Sequence, residues 1–223
     1  MEEITNFIHE YIKEDLAPGG RFEGKTVILA TGVKHRMLGL PGENELVGEG
    51  ISFCAVCDGA FYRDKTVAVI GGGNSALQEA LLLSENCKKV VMVQNLQAFT
   101  GEEKLRQAVA AKDNIDAVFG TVVTGILGDD TLTGISLKNE AGETSELLVD
   151  GLFIAIGLIP ENEPFKELAP LNDYGYFDSD ERCVTPAENV FVAGDCRSKS
   201  VRQITTAAAD GAVAALAACK YAE

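Results

Sequence analysis

The sequence predicts an α/β chain built on parallel strands, and three observations predict it. Short apolar runs recur along the 223 residues, each stopped by glycine: KTVILAT before Gly32, KTVAVI before Gly71, LFIAI before Gly157 and VFVA before Gly194. Runs this short and this uniformly apolar are read as strands covered on both faces. The second run passes through Gly71-Gly72-Gly73 into ALQEALLLSE and then into VVMV at residues 90–93, a βαβ unit of about 30 residues. Between residues 115 and 149 the texture changes: Val, Leu and Ile alternate with polar residues, broken by Gly128-Asp129-Asp130 and by residues 139–143. That alternation predicts an antiparallel meander.

The remaining elements follow in order. Ile4, Phe7, Ile8, Tyr11 and Ile12 repeat at helical spacing and predict an opening helix, ended by Pro18-Gly19-Gly20, whose stripe is expected to cover the chain's own core, a partner being the other reading. Residues 25–31 form the first strand, and residues 33–50, rich in glycine and polar side chains, connect it to the cysteine element FCAVCDGAFY at residues 53–62. Asn74 and Ser75 are expected to cap the helix of the βαβ unit. Another helix is expected at residues 102–111 and a last one at residues 203–220, where alanines permit close packing on a sheet.

Composition narrows the function. Apolar residues make up 46% of the chain and charged residues 24%, enough for a sizeable core. Nineteen basic against 34 acidic residues give a formal charge of -15, which repels phosphate backbones and argues against nucleic acid as a partner. No run approaches a membrane span and no signal-peptide pattern opens the sequence, so a soluble, cytoplasmic protein is expected. Of six cysteines only Cys54 and Cys57 are close in sequence. A structural zinc site usually shows a second Cys-x-x-Cys or a Cys/His pair, so no metal is expected. His9 and His35 are isolated, and Cys87, Cys183, Cys196 and Cys219 are expected to be buried, inert thiols.

Two motifs carry chemistry. Gly71, Gly73 and Ala76 fit G-x-G-x-x-A between a strand and a helix. The first glycine permits the tight turn, the second lets backbone approach a pyrophosphate, and the small third residue lets helix and strand touch. Free amides at the helix start, including those of Asn74 and Ser75, then face the phosphates. A dinucleotide enzyme carries an acid, for NAD, or arginines, for NADP, near the end of the following strand. Here that place reads Gln94-Asn95-Leu96-Gln97, and the next basic residue is Lys104. A nicotinamide cofactor is therefore expected to bind weakly or not at all.

The second motif is Cys54-Ala55-Val56-Cys57-Asp58. Cysteines at this spacing can close and reopen a small disulfide ring, and in an α/β context they read as redox-active. Half of a zinc site and two buried thiols are the other readings. The adjacent Asp58 suits thiol–disulfide exchange, which needs a proton acceptor and donor beside the sulfurs.

The string FCAVCDGAFYRDKTVAVIGGGNSALQEA, followed by LFIAIGLIP and VFVAGDCRSKSVRQITTAAADGAVAA, resembles the low-molecular-weight thioredoxin reductases in order and spacing. The resemblance implies a three-layer, Rossmann-like FAD/NAD(P)-binding fold with a β-meander crossover, in two domains. Residues 39–160 would form the NAD(P)-type domain with the redox pair; residues 1–38 and 161–223 would form a flavin domain. It implies that Cys57 lies against the flavin, that Cys54 attacks the thioredoxin disulfide, and that Asp58 relays protons. Thr31 and Gly32 match the turn beside the FAD pyrophosphate, Gly194 and Asp195 the pair that bonds the ribityl chain, and Arg202, Gln203 and Ile204 the segment at the flavin ring. Family members are homodimers.

Two departures stand out. No G-x-G-x-x-G turn occurs before Lys25, so the chain looks like a member lacking roughly its first third, with the flavin domain incomplete. The H-R-R-x-x-x-R run of NADPH-dependent members is replaced by Asn95-Leu96-Gln97-Ala98-Phe99-Thr100-Gly101. The latter is similar to a subgroup that takes electrons from reduced ferredoxin. The expected function is a flavoprotein oxidoreductase passing electrons through FAD and the Cys54–Cys57 pair to a thioredoxin-like protein, with NADPH or reduced ferredoxin as donor. The alternative is a remnant module that holds no flavin.

Overall fold

The computed structural model describes residues 24–222. The opening helix expected around Ile4 to Ile12 lies outside the described residues. The chain divides into two compact units, residues 35–157 and residues 1–34 with 158–223. The sequence reading placed these divisions at 38/39 and 160/161.

The unit of residues 35–157 is built on a parallel sheet. Its strands are β3 (Ile51–Ser52), β4 (Thr66–Ile70), β5 (Lys89–Val93), β6 (Ile115–Val118) and β10 (Gly151–Ile154), in the order β3-β10-β4-β5-β6. Every neighbouring pair runs parallel. β4 shows why a short apolar run becomes a central strand. Successive side chains point to opposite faces. Val67 and Val69 pack with Ala76, Leu77, Ala80 and Leu83 of α2 (Asn74–Ser84) and with Val109 of α3 (Glu103–Ala110). Ala68 and Ile70 face the other way, against Leu132, Ile135 and Leu137. The latter two belong to a meander of β7 (Thr121–Leu127), β8 (Gly134–Asn139) and β9 (Thr144–Leu148), paired antiparallel. Helices, sheet and meander are the three expected layers. One boundary differs: the meander begins at Thr121, and residues 115–118 instead form the edge strand of the parallel sheet.

In the other unit β1 (Val27–Leu29) pairs parallel with β12 (Val190–Val192) in the register Val27 to Val190. Val190 and Val192 pack with Leu29, Phe165 and Phe177, while Phe191 packs with Ala214 and Ala218 of α4 (Ile204–Ala222). The alanines of α4 thus do lie close on a strand. Short strands β2 (Val33–His35) and β11 (Leu158–Pro160) pair in a separate two-stranded sheet. Among the described residues no helix is long and apolar enough to cross a membrane.

Candidate redox and nucleotide sites

The cysteine element begins where β3 ends. Cys54 is extended (φ -149°) and caps α1 (Ala55–Asp58), its Sγ accepting from the Cys57 amide at 3.2 Å. The Cys54 carbonyl accepts from the amides of Cys57 and Asp58 at 3.1 and 3.0 Å. A single helical turn places residues three apart on one face, and the two cysteines form a disulfide with their Cα atoms 5.3 Å apart. Ala55 is buried in the core beside α2, and a Cβ on Gly59 would meet Leu83 Cδ2 at 3.2 Å, so the turn sits directly on that helix. Cys57 is exposed and Cys54 half-buried. Around them Val56 and Phe61 are 74% and 75% exposed, apolar side chains turned to solvent beside a disulfide.

Asp58 is fixed by a residue the sequence reading passed over. Ser52, buried on β3, donates its hydroxyl to Asp58 Oδ2 at 2.6 Å, and Ser52 Oγ itself accepts from the Cys54 amide at 3.1 Å. Burial pushes the Tyr62 phenol upward, and the charges of Asp58 and then Asp150 push it further.

The glycine turn follows β4. Gly71 has φ +129°, and a Cβ there would lie 2.5 Å from the Ala155 carbonyl oxygen and 3.2 Å from Ala76 Cβ. That crowding explains both the glycine and the alanine of the motif. A Cβ on Gly73 would meet nothing nearer than Thr100 Oγ1 at 4.0 Å, so this backbone faces open space. Gly73 itself is the N-cap of α2; Asn74 and Ser75 are not caps but the first helical residues. Asn74 reaches sideways instead, its Oδ1 accepting from the Glu102 amide at 2.7 Å and its Nδ2 donating to Glu102 Oε1 at 2.8 Å.

Gly71, Gly73, Asn74 and Ser75 line a cavity of about 750 Å³ outside the carboxyl ends of β4, β5 and β10. Ligands bind at that end of open parallel sheets. None of the described residues lining it is charged: the place of an adenosine clamp is taken by Gln94, Asn95 and Leu96. Gln94 is buried with its carboxamide over Gly72, where a Cβ would lie 2.3 Å from Gln94 Nε2.

The residues matched to a flavin lie in the unit of β1 and β12. Gly32 has φ +68°, and a Cβ on it would meet none of the described residues within 4 Å. Thr31 donates to Asn162 Oδ1 at 2.7 Å, while Asn162 Nδ2 donates to the carbonyls of Gly175 and Cys196, both at 2.8 Å. Asn162, wholly buried, therefore ties the turn after β1 to the turn after β12. Gly194 takes φ +79°, and its amide donates to Asp210 Oδ2 at 3.1 Å. Asp210 is also paired with Arg197 Nε at 2.9 Å and Lys199 Nζ at 2.8 Å. Burial acts against its charge, yet the two cations hold its carboxyl below the usual range. Arg202 donates to the Asp195 carbonyl at 3.2 Å and stacks on Tyr176 at 4.1 Å. Gln203 and Ile204 stand at the start of α4, Ile204 exposed. Asp195 Oδ1 is buried and has no hydrogen-bond partner among the described residues. A buried orphan acceptor demands a donor, and the hydroxyls of a ribityl chain are such donors, so Asp195 fits that part of a flavin. Ser52, Asn162 and Asp210 left no signal beyond being polar residues within or beside apolar runs.

The other cysteines divide. Cys87, Cys183 and Cys196 are buried, and burial pushes the Cys87 and Cys183 thiols up, away from reactive thiolate. Cys219 is exposed on α4, contrary to expectation: position 219 lies on the outer side of a helix that buries only one face.

A parallel sheet with a glycine turn and a Cys-x-x-Cys disulfide at its carboxyl end defines a nucleotide-fold protein of the disulfide oxidoreductase class. Residues 4–211 match the model of the pyridine nucleotide-disulphide oxidoreductase family. Over 209 residues the chain is 39% identical to the thioredoxin reductase of Peptoclostridium acidaminophilum, covering 91% of itself and 66% of that protein. The figures for the Bacillus subtilis thioredoxin reductase are 38% over 204 residues, 91% and 65%. The crystal structure of thioredoxin reductase from Streptococcus pyogenes superposes with a TM-score of 0.83 at 38% identity, over 92% of this chain and 68% of that one. The chain belongs to the pyridine nucleotide-disulphide oxidoreductase family, in its thioredoxin reductase branch, and spans about 65% of the length of the curated relatives it matches.

Proposed function

We propose that the chain acts as a thioredoxin reductase-like flavoprotein, passing electrons through Cys54 and Cys57 to the disulfide of thioredoxin or a similar dithiol protein. The observation that carries this reading is the Cys54–Cys57 disulfide itself, on an exposed turn with Asp58 adjoining and Val56 and Phe61 turned outward. In the dithiol state Cys54, as thiolate, attacks one sulfur of the partner disulfide. The partner's S–S bond breaks, and its second sulfur leaves and takes up a proton. Cys57 then attacks Cys54 Sγ, re-forming the bond between them and releasing the first partner sulfur. The partner gains two electrons and two protons, and the pair loses them. Asp58 carries protons between the sulfurs and solvent, as the general acid–base group such exchange requires.

FAD, held by Thr31, Gly32, Gly194, Asp195, Arg202, Gln203 and Ile204, would supply the two electrons that reopen the disulfide. The uncharged lining of the cavity at Gly71–Gly73 supports a donor other than NADPH, whose 2′-phosphate finds no cation there. Reduced ferredoxin is that donor in this reading, and the homodimeric state is carried over with the family.

A visible absorption spectrum of the purified protein, with and without added FAD, tests the reading first. A flavin band that bleaches on reduction is expected; a preparation that stays colourless in excess FAD refutes it. Cys57→Ser is expected to abolish disulfide reduction while leaving flavin binding intact, and retained turnover in that variant refutes the assignment. Rapid flavin reduction by NADPH at low concentration would overturn the choice of donor.

A further inference from the structure

We infer that Ser52 is a positioning residue for the redox pair, acting through Asp58. The inference rests on the reading of Asp58 as proton carrier. Ser52 is 4% exposed and sits on β3, two residues before Cys54. A hydroxyl has one hydrogen to give and lone pairs to receive with. The Cys54 amide donates to Ser52 Oγ at 3.1 Å, which fills an acceptor position of that oxygen. Its single hydrogen is then free for Asp58 Oδ2, 2.6 Å away.

This bridge does two things. It fixes the rotamer of the carboxylate against the same backbone turn that carries Cys54, so that proton donor and sulfur are referenced to one amide. It also occupies Oδ2 with a donor, leaving Oδ1 as the oxygen that takes up and gives back the proton. The length of 2.6 Å is that of a charge-assisted O–H···O⁻ bond. Proton transfer during exchange falls off steeply with misplacement of the acid or base, so a device that holds Asp58 in place acts on the rate of exchange.

A double-mutant cycle separates this role from a structural one. Asp58→Asn keeps an acceptor for Ser52 but has no proton to pass. The whole chain is reduced with dithiothreitol, whose two thiols supply the two electrons and two protons that Cys54 and Cys57 gain. The reaction is quenched by alkylation, and opening of the pair is read from the mass of the peptide carrying both cysteines, which needs no bound flavin. Ser52→Ala is expected to slow reduction about tenfold, a modest share of what a positioned acid–base group supplies. Ser52→Thr keeps the hydroxyl and is expected to stay within about twofold of the parent. In the Asp58→Asn background, Ser52→Ala is expected to add nothing beyond about twofold. If the two substitutions multiply, or if Ser52→Ala reduces as fast as the parent, the inference is overturned while Asp58 keeps its role. If Asp58→Asn alone leaves the rate unchanged, the proton-carrier reading falls, and the inference with it.

Discussion

Glu79 gives the molecule a dependence on pH that can be worked out in advance. It lies in α2, the helix that carries the core residues Ala76, Ala80 and Leu83, and is half-buried, its Oε2 buried without a hydrogen-bond partner among the described residues. Burial pushes its carboxyl up from 4.5 to about 7. With a raised acid, stability falls as pH rises wherever the unfolded chain has released its proton and the folded one has not, and the loss so accumulated persists at higher pH. The penalty is therefore absent below about pH 4.5, grows as pH rises, and is complete above about pH 7. At ~1.4 kcal/mol per pH unit the full gap corresponds to roughly 3 kcal/mol. Partial contact with water screens the charge and brings the expected effect to ~1–2 kcal/mol. Glu79→Gln removes it. Urea unfolding followed by circular dichroism should show the variant more stable than the parent by that amount at pH 8 and equal to it at pH 4.5. Equal differences at both pH values, or a loss at pH 8, would refute the reasoning.

Two further substitutions probe the glycine turn and the ion network. Gly71→Ala combines φ +129° with a methyl 2.5 Å from a backbone oxygen, so a loss of about 2–4 kcal/mol is expected in the same unfolding assay. Asp210→Asn leaves Arg197 and Lys199 buried beside a neutral group, with an expected loss of about 3–5 kcal/mol. Hydrogen exchange at the Gly194 amide, which donates to Asp210, should quicken in parallel.

Much of the architecture was legible because burial on both faces leaves a mark. β4, β5, β10 and β12 are short apolar runs, and glycine stops three of them where backbone must turn sharply. β6 was misread for the same physical reason in reverse. As an edge strand it is half solvated, and its Ile-Asp-Ala-Val alternates just as a meander strand does. The N-cap of α2 was misplaced because Asn74 is a good capping residue by chemistry; the turn puts Gly73 at the cap and spends the Asn74 side chain on Glu102. The Cys-x-x-Cys pairing was legible because a single helical turn brings such residues together whatever surrounds them. The residues that hold the sites in place, Ser52, Asn162 and Asp210, were not: Asn162 bonds Cys196, 34 residues away, and Ser52, though its partners are only two and six residues on, sits unmarked inside a buried strand.

Asn162 carries a consequence of its own. Its nitrogen serves two carbonyls and its oxygen serves one hydroxyl, all inside the protein. Aspartate has the same outline but, ionised, offers no hydrogen, so exchanging that single nitrogen for oxygen would set a negative charge against two carbonyl dipoles. The position thus distinguishes an amide from its acid without any difference in size. Chemical ageing of this one side chain by deamidation would loosen the loops following β1 and β12 together while leaving the core packing untouched.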